Sequence, residues 1–247
     1  MTSKYNLKFI SDEDLFNQVE STVKDFRSSV DLKKFNNNII DPIKLLFDSK
    51  VYNKSFEEII QMEVARQIDK SNNNHIGYFH QNIFNYIGND EWVVPKKGFD
   101  IINEKRKIFV EMKNKHNTMN SSSSQKSYMK MQSKIIENPE NQCLLVEVVA
   151  TKSQNIPWET SLDGEKIVSE KIRRVSMDKF YEIVTGSSLN FYLLCEALPK
   201  VLDDVLKNID YNIIEDTVLS EIKELYPEKD LLKFLYLLAF STYEGFN

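Results

Sequence analysis

Asp100, Glu111 and Lys113 are the residues of this chain whose types and spacing could do chemistry together. The segment Gly98-Phe-Asp-Ile-Ile, a short charged turn, and Ile108-Phe-Val-Glu-Met-Lys113 read as a β-hairpin. Side chains alternate along a strand, so Glu111 and Lys113 share a face with Asp100, while Phe99, Ile101, Ile108, Val110 and Met112 point the other way. A turn at Asn103-Glu104-Lys105-Arg106 would set Asp100 opposite Phe109 and diagonal to Glu111. Diagonal neighbours lie about 7–8 Å apart at Cα, within reach of one shared ion for side chains of this length. A hard divalent cation such as Mg²⁺ takes carboxylate oxygens, keeps several waters and leaves room for a substrate phosphate. It polarises a phosphoryl oxygen and favours ionisation of an attacking water. A lysine beside it can orient that water and stabilise negative charge growing on the phosphate. These are the parts of a metal-dependent phosphodiesterase. On a plain surface hairpin the same three residues would be solvated charges and nothing more.

The hairpin also sits in an unusual electrostatic setting. The chain has 247 residues and a net charge of −5, which taken alone argues against a polyanionic partner. From Lys96 to Lys134, however, ten Lys or Arg stand against three Asp or Glu, a local +7 that leaves −12 on the rest. A basic segment bracketing carboxylates is the footprint expected for a nucleic-acid substrate. Cys143 and Cys195 each lie in an apolar run, so both are expected to be buried thiols in a reducing compartment. The start, Met1-Thr-Ser-Lys-Tyr, lacks the apolar core of a signal peptide, and the longest apolar run, Leu231 to Phe240, is broken by Lys233 and too short for a bilayer. A cytoplasmic protein with no membrane partner is the expectation.

The elements that must position the hairpin are mostly helices. Ser11-Asp-Glu-Asp14 resembles a capping box opening a helix through about Phe26. A polar linker around Asn36-Asn-Asn38 should follow, then a helix from Asp41-Pro42, with Pro suited to the first turn. Ser55 should cap a helix from Phe56 to about Lys70, closed by Asn72 to Asn74, and Tyr78 to Ile87 reads as a short aromatic helix. After the hairpin come a serine run, Ser121 to Ser124, and a helix from about Gln125 to Glu137. Free backbone N–H groups at such a start suit a phosphate. Cys143 to Ala150 reads as a buried strand, and Gln154 to Val175 as a long hairpin turning at Asp163-Gly164. Helices are expected at Met177–Val184, Ser187–Asn208, Ile213–Leu225 and Asp230–Tyr243. The architecture expected is α/β, a mixed central sheet flanked by helices. It would form a single domain over 1–247, with an N-terminal helical part (1–54), a core (55–186) and a C-terminal helical part (187–247).

Other residues carry weaker signals. Glu63 falls inside the apolar stripe of Phe56, Ile59 and Ile60, where a carboxylate is costly unless it meets a cation or a metal network. It is either a partner of Arg66 or a support to the metal site. Arg173 and Arg174 are adjacent on a strand, so they face opposite ways and at most one reads bases. A bidentate arginine on guanine O6 and N7 is the base contact in question, with structural ion pairing as the alternative. Nothing in the Cys and His spacing points to zinc, and no Gly-rich loop points to a nucleotide.

With Phe-Val-Glu-Met-Lys-Asn-Lys-His-Asn-Thr-Met-Asn-Ser-Ser-Ser-Ser in view, the chain resembles type II restriction endonucleases of the PD-(D/E)XK superfamily, and among them the enzymes of AsuI-type specificity, which cut GGNCC-like sites. The resemblance runs from about Glu57 to Gly186 and includes Lys171-Ile-Arg-Arg-Val-Ser-Met-Asp-Lys-Phe-Tyr-Glu-Ile-Val-Thr-Gly186. It implies Asp100 and Glu111 as Mg²⁺ ligands and Lys113 as the lysine that positions water. Phe99 stands where the superfamily name has proline, a variable position. The resemblance further implies double-strand cleavage leaving 5′-phosphates, a homodimer on a palindromic site, and a cognate DNA methyltransferase protecting the host. Glu63 is carried as a supporting carboxylate. DNA contacts are expected from Lys115, His116, Asn117 and Asn120, from Ser124, Gln125 and Lys126, and from Arg173 and Arg174. A structure-specific or repair nuclease on the same core is the competing enzyme, and a silent DNA-binding protein the competing non-enzyme.

Overall fold

The computed structural model describes residues 4–88, 91–116, 118–162, 164–209, 214–227 and 230–240. Two compact units are each built from two stretches of chain, Met1–Lys24 with Ile76–Asp210, and Asp25–His75 with Tyr211–Asn247.

The first unit holds the sheet. Strands β1 (Ile101–Asn103), β2 (Ile108–Lys115), β3 (Gln142–Val149), β4 (Asn155–Leu162) and β5 (Glu165–Ser176) lie in the order β1-β2-β3-β5-β4. The central pairs β2–β3 and β3–β5 are parallel and the outer pairs antiparallel, which makes the sheet mixed. Both faces of the middle strands are covered, so β2 and β3 read as near-continuous apolar runs rather than as alternation. One face packs Ile101, Ile108, Val110, Met112, Leu144, Val146 and Val175 against helices α1 (Asp12–Asp25), α6 (Met177–Thr185) and α7 (Leu189–Asn208). The other packs Phe109, Cys143, Leu145, Trp158 and Ile172 against Tyr128 and Met131 of α5 (Ser121–Glu137), the helix that connects β2 to β3. Parallel neighbours need such a crossover, and it places α5 directly over the candidate carboxylates.

The second unit is helical. Helices α2 (Leu32–Asn37), α3 (Pro42–Tyr52), α8 (Val218–Leu225) and α9 (Leu231–Phe240), with Ile59, Ile60 and Val64 of α4 (Phe56–Asn82), surround a core of Phe35, Leu45, Ile222, Phe234 and Leu235. Asp41 caps α3 through the backbone N–H groups of Ile43 and Lys44, with Pro42 in its first turn as expected.

Several expectations need correction. The linker at Asn36–Asn38 contains the short helix α2, capped by Asp31, whose six residues are too few for a periodic signal. The run Asn72–Asn74 does not end α4, which continues to Asn82 and takes His75 into the helix. Asn72 is held by exchanging hydrogen bonds with the Arg27 backbone (2.9 Å each), one way tertiary contacts override a weak propensity. The four serines form the first turn of α5 rather than preceding it, and the cap is Asn120. Cys195 is exposed on α7, whereas Cys143 is buried as expected. Residues 241–243 of the last expected helix and Asp163 of the β4–β5 turn lie outside the described residues.

Candidate active site

The β1–β2 register is the first thing that shapes the site. Ile101 pairs with Val110, Ile102 with Phe109 and Asn103 with Ile108, so the turn is 104–107, one residue later than the sequence suggested. Lys107 takes the left-handed conformation (φ 56°) to close it. Asp100 lies one residue before β1 and donates its backbone N–H to the Val110 carbonyl at 2.9 Å. Continuing the register puts Asp100 across from Glu111 rather than diagonal to it. The shift is two in pairing, which preserves parity, so the same face is presented. Phe99, in the bend before the strand, leaves the alternation and packs on Phe109 at 5.5 Å between ring centroids.

Each carboxylate is held. Asp100 is half-buried, and its Oδ2 accepts the Met112 backbone N–H at 2.7 Å. Glu111 is buried at 8 % exposure on the face covered by α5. One of its oxygens receives the Lys130 ammonium from α5, and the other lies 4.0 Å from Lys113 Nζ. Lys130 also donates to the Gly98 carbonyl at 2.7 Å and stands over the Phe99 ring. Burial pushes the Glu111 carboxyl above the usual carboxylate range, Lys130 pulls it down, and the charge of Asp100 pushes it up again. A buried carboxyl so disfavoured as an anion, facing a second carboxylate, is chemically suited to a cation. Among the described residues no cluster of three or more His, Cys, Asp or Glu could hold a metal. Two carboxylates nonetheless fit Mg²⁺, which completes its shell with waters and substrate phosphate.

Beside this pair lies a second charged group that sequence reading did not assemble. Glu147 on β3 pairs in register with Lys113 and is 1 % exposed. It accepts Arg174 through Nε at 2.9 Å and Nη2 at 2.7 Å, and His116 Nδ1 lies 3.1 Å from both its oxygens. The signal was present, since Glu147 is the one charge in an apolar strand. Its partners come from β5 and from just beyond the end of β2, and so are invisible locally. Arg174 thus faces the Glu111 side of the sheet. Arg173 turns the other way, as strand neighbours must, and bonds the Asn155 side chain and carbonyl at 2.6 Å each. Lys113, Glu147 and Arg174 lie toward the carboxyl ends of parallel strands, where open α/β sheets hold their ligands, with Glu111 at mid-strand beside them.

At the start of α5, Asn120 caps the helix by accepting the Ser123 N–H at 2.8 Å. Ser124 meets Thr160 at 3.3 Å, and Gln125 donates to the Ser161 carbonyl at 3.1 Å. Met119, Ser121, Ser124, Gln125, Thr160 and Ser161 line an open cavity of about 400 Å³. Lys115 and Lys126 are exposed, and Asn117 lies outside the described residues. Glu63, in the helical unit, is gripped by Arg66 at 2.5 and 2.6 Å and by Gln67 at 3.0 Å. Burial opposes ionisation of Glu63, but these partners outweigh it and hold the carboxyl below its usual range.

Comparison with known proteins converges on one family. A model of the Eco47II restriction endonuclease family matches residues 7–207. The chain is 32 % identical over 215 residues to the type II restriction enzyme Sau96I of Staphylococcus aureus, covering 83 % of this chain and 82 % of that protein. It is equally 32 % identical over 215 residues to the type II restriction enzyme Eco47II of Escherichia coli, covering 81 % and 88 %. With the match spanning the sheet, the Asp100/Glu111/Lys113 face and α5, the chain belongs to the Eco47II restriction endonuclease family, type II enzymes that hydrolyse DNA.

Proposed function

We propose that this enzyme cuts both strands of DNA at a short palindromic GGNCC-like site in a Mg²⁺-dependent reaction, leaving 5′-phosphates, through a PD-(D/E)XK centre formed by Asp100, Glu111 and Lys113. The observation that carries the proposal is the β1–β2 register, which sets Asp100 across from Glu111 with Lys113 Nζ 4.0 Å from Glu111. Asp100 and Glu111 would hold the ion. When bound, it would supply positive charge to a phosphoryl oxygen and favour ionisation of a nearby water. The chain's own residues do the rest. The Met112 N–H fixes the Asp100 carboxylate. Lys113 stands where it can orient a water and meet charge that develops in the transition state. α5 closes the apolar side, and Lys130 sits beside Glu111 as a charge that must yield to an incoming ion.

At the β2–α5 connection the exposed Lys115, Asn120 and Lys126 and the partly exposed His116, Ser124 and Gln125 are proposed DNA contacts, together with Asn117. One of Arg173 and Arg174 is the proposed guanine reader, and it would have to exchange its present protein partner for a base. Glu63 is kept as a proposed supporting carboxylate, although its partners Arg66 and Gln67 lie with it in the helical unit. The enzyme would act in the cytoplasm as a homodimer, alongside a methyltransferase of the same specificity. No described helix is long and apolar enough to cross a membrane. Digestion of a sequenced plasmid with Mg²⁺, followed by sequencing of the ends, tests the proposal. Discrete fragments sharing a palindrome and 5′-phosphates are expected. Ragged ends without a common sequence would favour a repair or structure-specific nuclease.

A further inference from the structure

The outer face of α7 carries two parallel strips. The helix buries Leu194, Ala197, Val201 and Val205 in its own unit. On the opposite side Tyr192, Cys195, Pro199, Leu202 and Leu206 recur at spacings of three and four, which at 3.6 residues per turn makes one continuous apolar strip. Tyr192 is 58 % and Leu206 47 % exposed. Directly beside it run Glu196, Lys200, Asp203 and Lys207, at the same spacing and all exposed. Among the described residues no ion pair within the chain engages any of these four. Lys200 alone is tethered, donating to the Lys4 carbonyl at 2.7 Å.

The order of signs along the charged strip is negative, positive, negative, positive. Read from the other end it is the complement of itself. A second α7 laid antiparallel about a two-fold axis between residues 201 and 202 would set Glu196 opposite Lys207 and Lys200 opposite Asp203, each pair formed twice. A two-fold axis lying in the interface keeps each flank of the helix on its own side. Charged strip therefore meets charged strip and apolar meets apolar. In that register Pro199 enters the gap between Leu202 and Leu206 of the second copy, and Leu202 lies beside its own copy. A parallel two-fold pair exchanges the flanks and would instead set the charged strip against the apolar one. The exposed apolar stripe of α3, Ile43, Phe47 and Val51, lacks this property, because its neighbouring charges Lys44 and Asp48 are already paired with each other.

We propose that the exposed face of α7 is a homodimer interface whose occupant is the antiparallel α7 of a second copy of this chain. This rests on the dimer reading given under Proposed function and names the surface and register it uses. From Tyr192 to Leu206 the strip is about 21 Å long and, at a helix width of about 10 Å, covers about 210 Å², short of the roughly 800 Å² per partner typical of lasting complexes. The free dimer is therefore concentration-dependent, and a palindromic duplex that holds two copies strengthens it.

Sedimentation of the full chain, alone and with a palindromic duplex and Ca²⁺, tests the proposal with exposed charges only. Glu196→Lys and Lys207→Glu should each weaken the dimer about tenfold, two attractions becoming two repulsions. The combined Glu196→Lys/Lys207→Glu variant should recover wild-type association. A non-specific charge effect is excluded by sign, because Glu196→Lys lowers the magnitude of a net −5 chain and would then strengthen association. Leu202→Cys in a Cys195→Ser background should give a disulfide-linked dimer on mild oxidation, whereas Val168→Cys should not. The proposal is overturned if the single variants associate like wild type, if the double variant stays weak, or if wild type is monomeric with and without duplex. Cleavage separates this from the functional reading. The single variants should still nick plasmid while losing concerted linearisation. A wild-type enzyme that cuts DNA but ignores these substitutions would remove only the interface.

Discussion

Lys113 and Glu111 take opposite roles in the same few ångströms. Lys113 is one-third exposed and free to meet a phosphate, so its contribution is expected in the transition state more than in binding. Lys113→Ala should lower the single-turnover cleavage rate by about 10²–10³ with little change in duplex affinity. An equal loss in both would make it an ordinary phosphate contact. Glu111 is a buried acid whose pKa is raised in the fold, first by desolvation and then by Asp100. The sign of the stability effect follows. The folded state favours the protonated form, so stability is greatest below the unfolded pKa and falls as pH rises through the folded pKa. Without metal, Glu111→Gln should therefore be more stable than wild type at neutral pH, by about 1 kcal/mol or less once the Lys130 attraction is discounted. The gain should vanish in acid, where wild type is also neutral. Thermal unfolding across pH checks this, and a variant less stable at pH 7 would show that Lys130 outweighs burial.

At the scale of elements, α5 performs two tasks that a single substitution can separate. Asn120 caps it and is also a proposed DNA contact. Asn120→Ala should cost about 1 kcal/mol of stability, while Asn120→Asp, which still caps, should cost far less. If Asn120 also touches DNA, both variants should weaken binding while only Ala lowers the melting temperature. The same elements show what the sequence made legible. Period two in Ile108–Lys113 put Glu111 and Lys113 on one face whatever the turn, because an error of one residue at each side of a hairpin preserves parity. The turn itself was misplaced, since nothing local distinguishes Asn103 as its first residue from Asn103 as the last of the strand. Asn103 is buried, accepting the Arg106 N–H at 2.8 Å, a fact that becomes visible only once the sheet is assembled. The Glu147 cluster was illegible for a related reason. Glu147 is the register neighbour of Lys113 across the α5 connection and meets Arg174 across the β4 connection, and those parallel registers leave no local pattern. The parallel order of the sheet, set by the α5 crossover, is equally non-local.

At the scale of the whole molecule, the −5 net charge conceals a basic segment that belongs to the β2–α5 region. Duplex affinity should therefore fall steeply with salt despite the acidic total. Replacing exposed Lys115 and Lys126 together should reduce the slope of log affinity against log salt by about two, one for each phosphate left without its lysine. An unchanged slope would place the DNA on another surface. The central claim is that each chain carries one cation-dependent centre at Asp100 and Glu111 and that its chemistry depends on both carboxylates. Single-turnover cleavage of supercoiled plasmid at saturating Mg²⁺, comparing wild type with Asp100→Ala and Glu111→Ala, tests it most directly. Linear product from wild type is expected, with no cutting by either variant, although both should still bind the duplex in Ca²⁺. Substantial cutting by either folded variant would contradict the assignment.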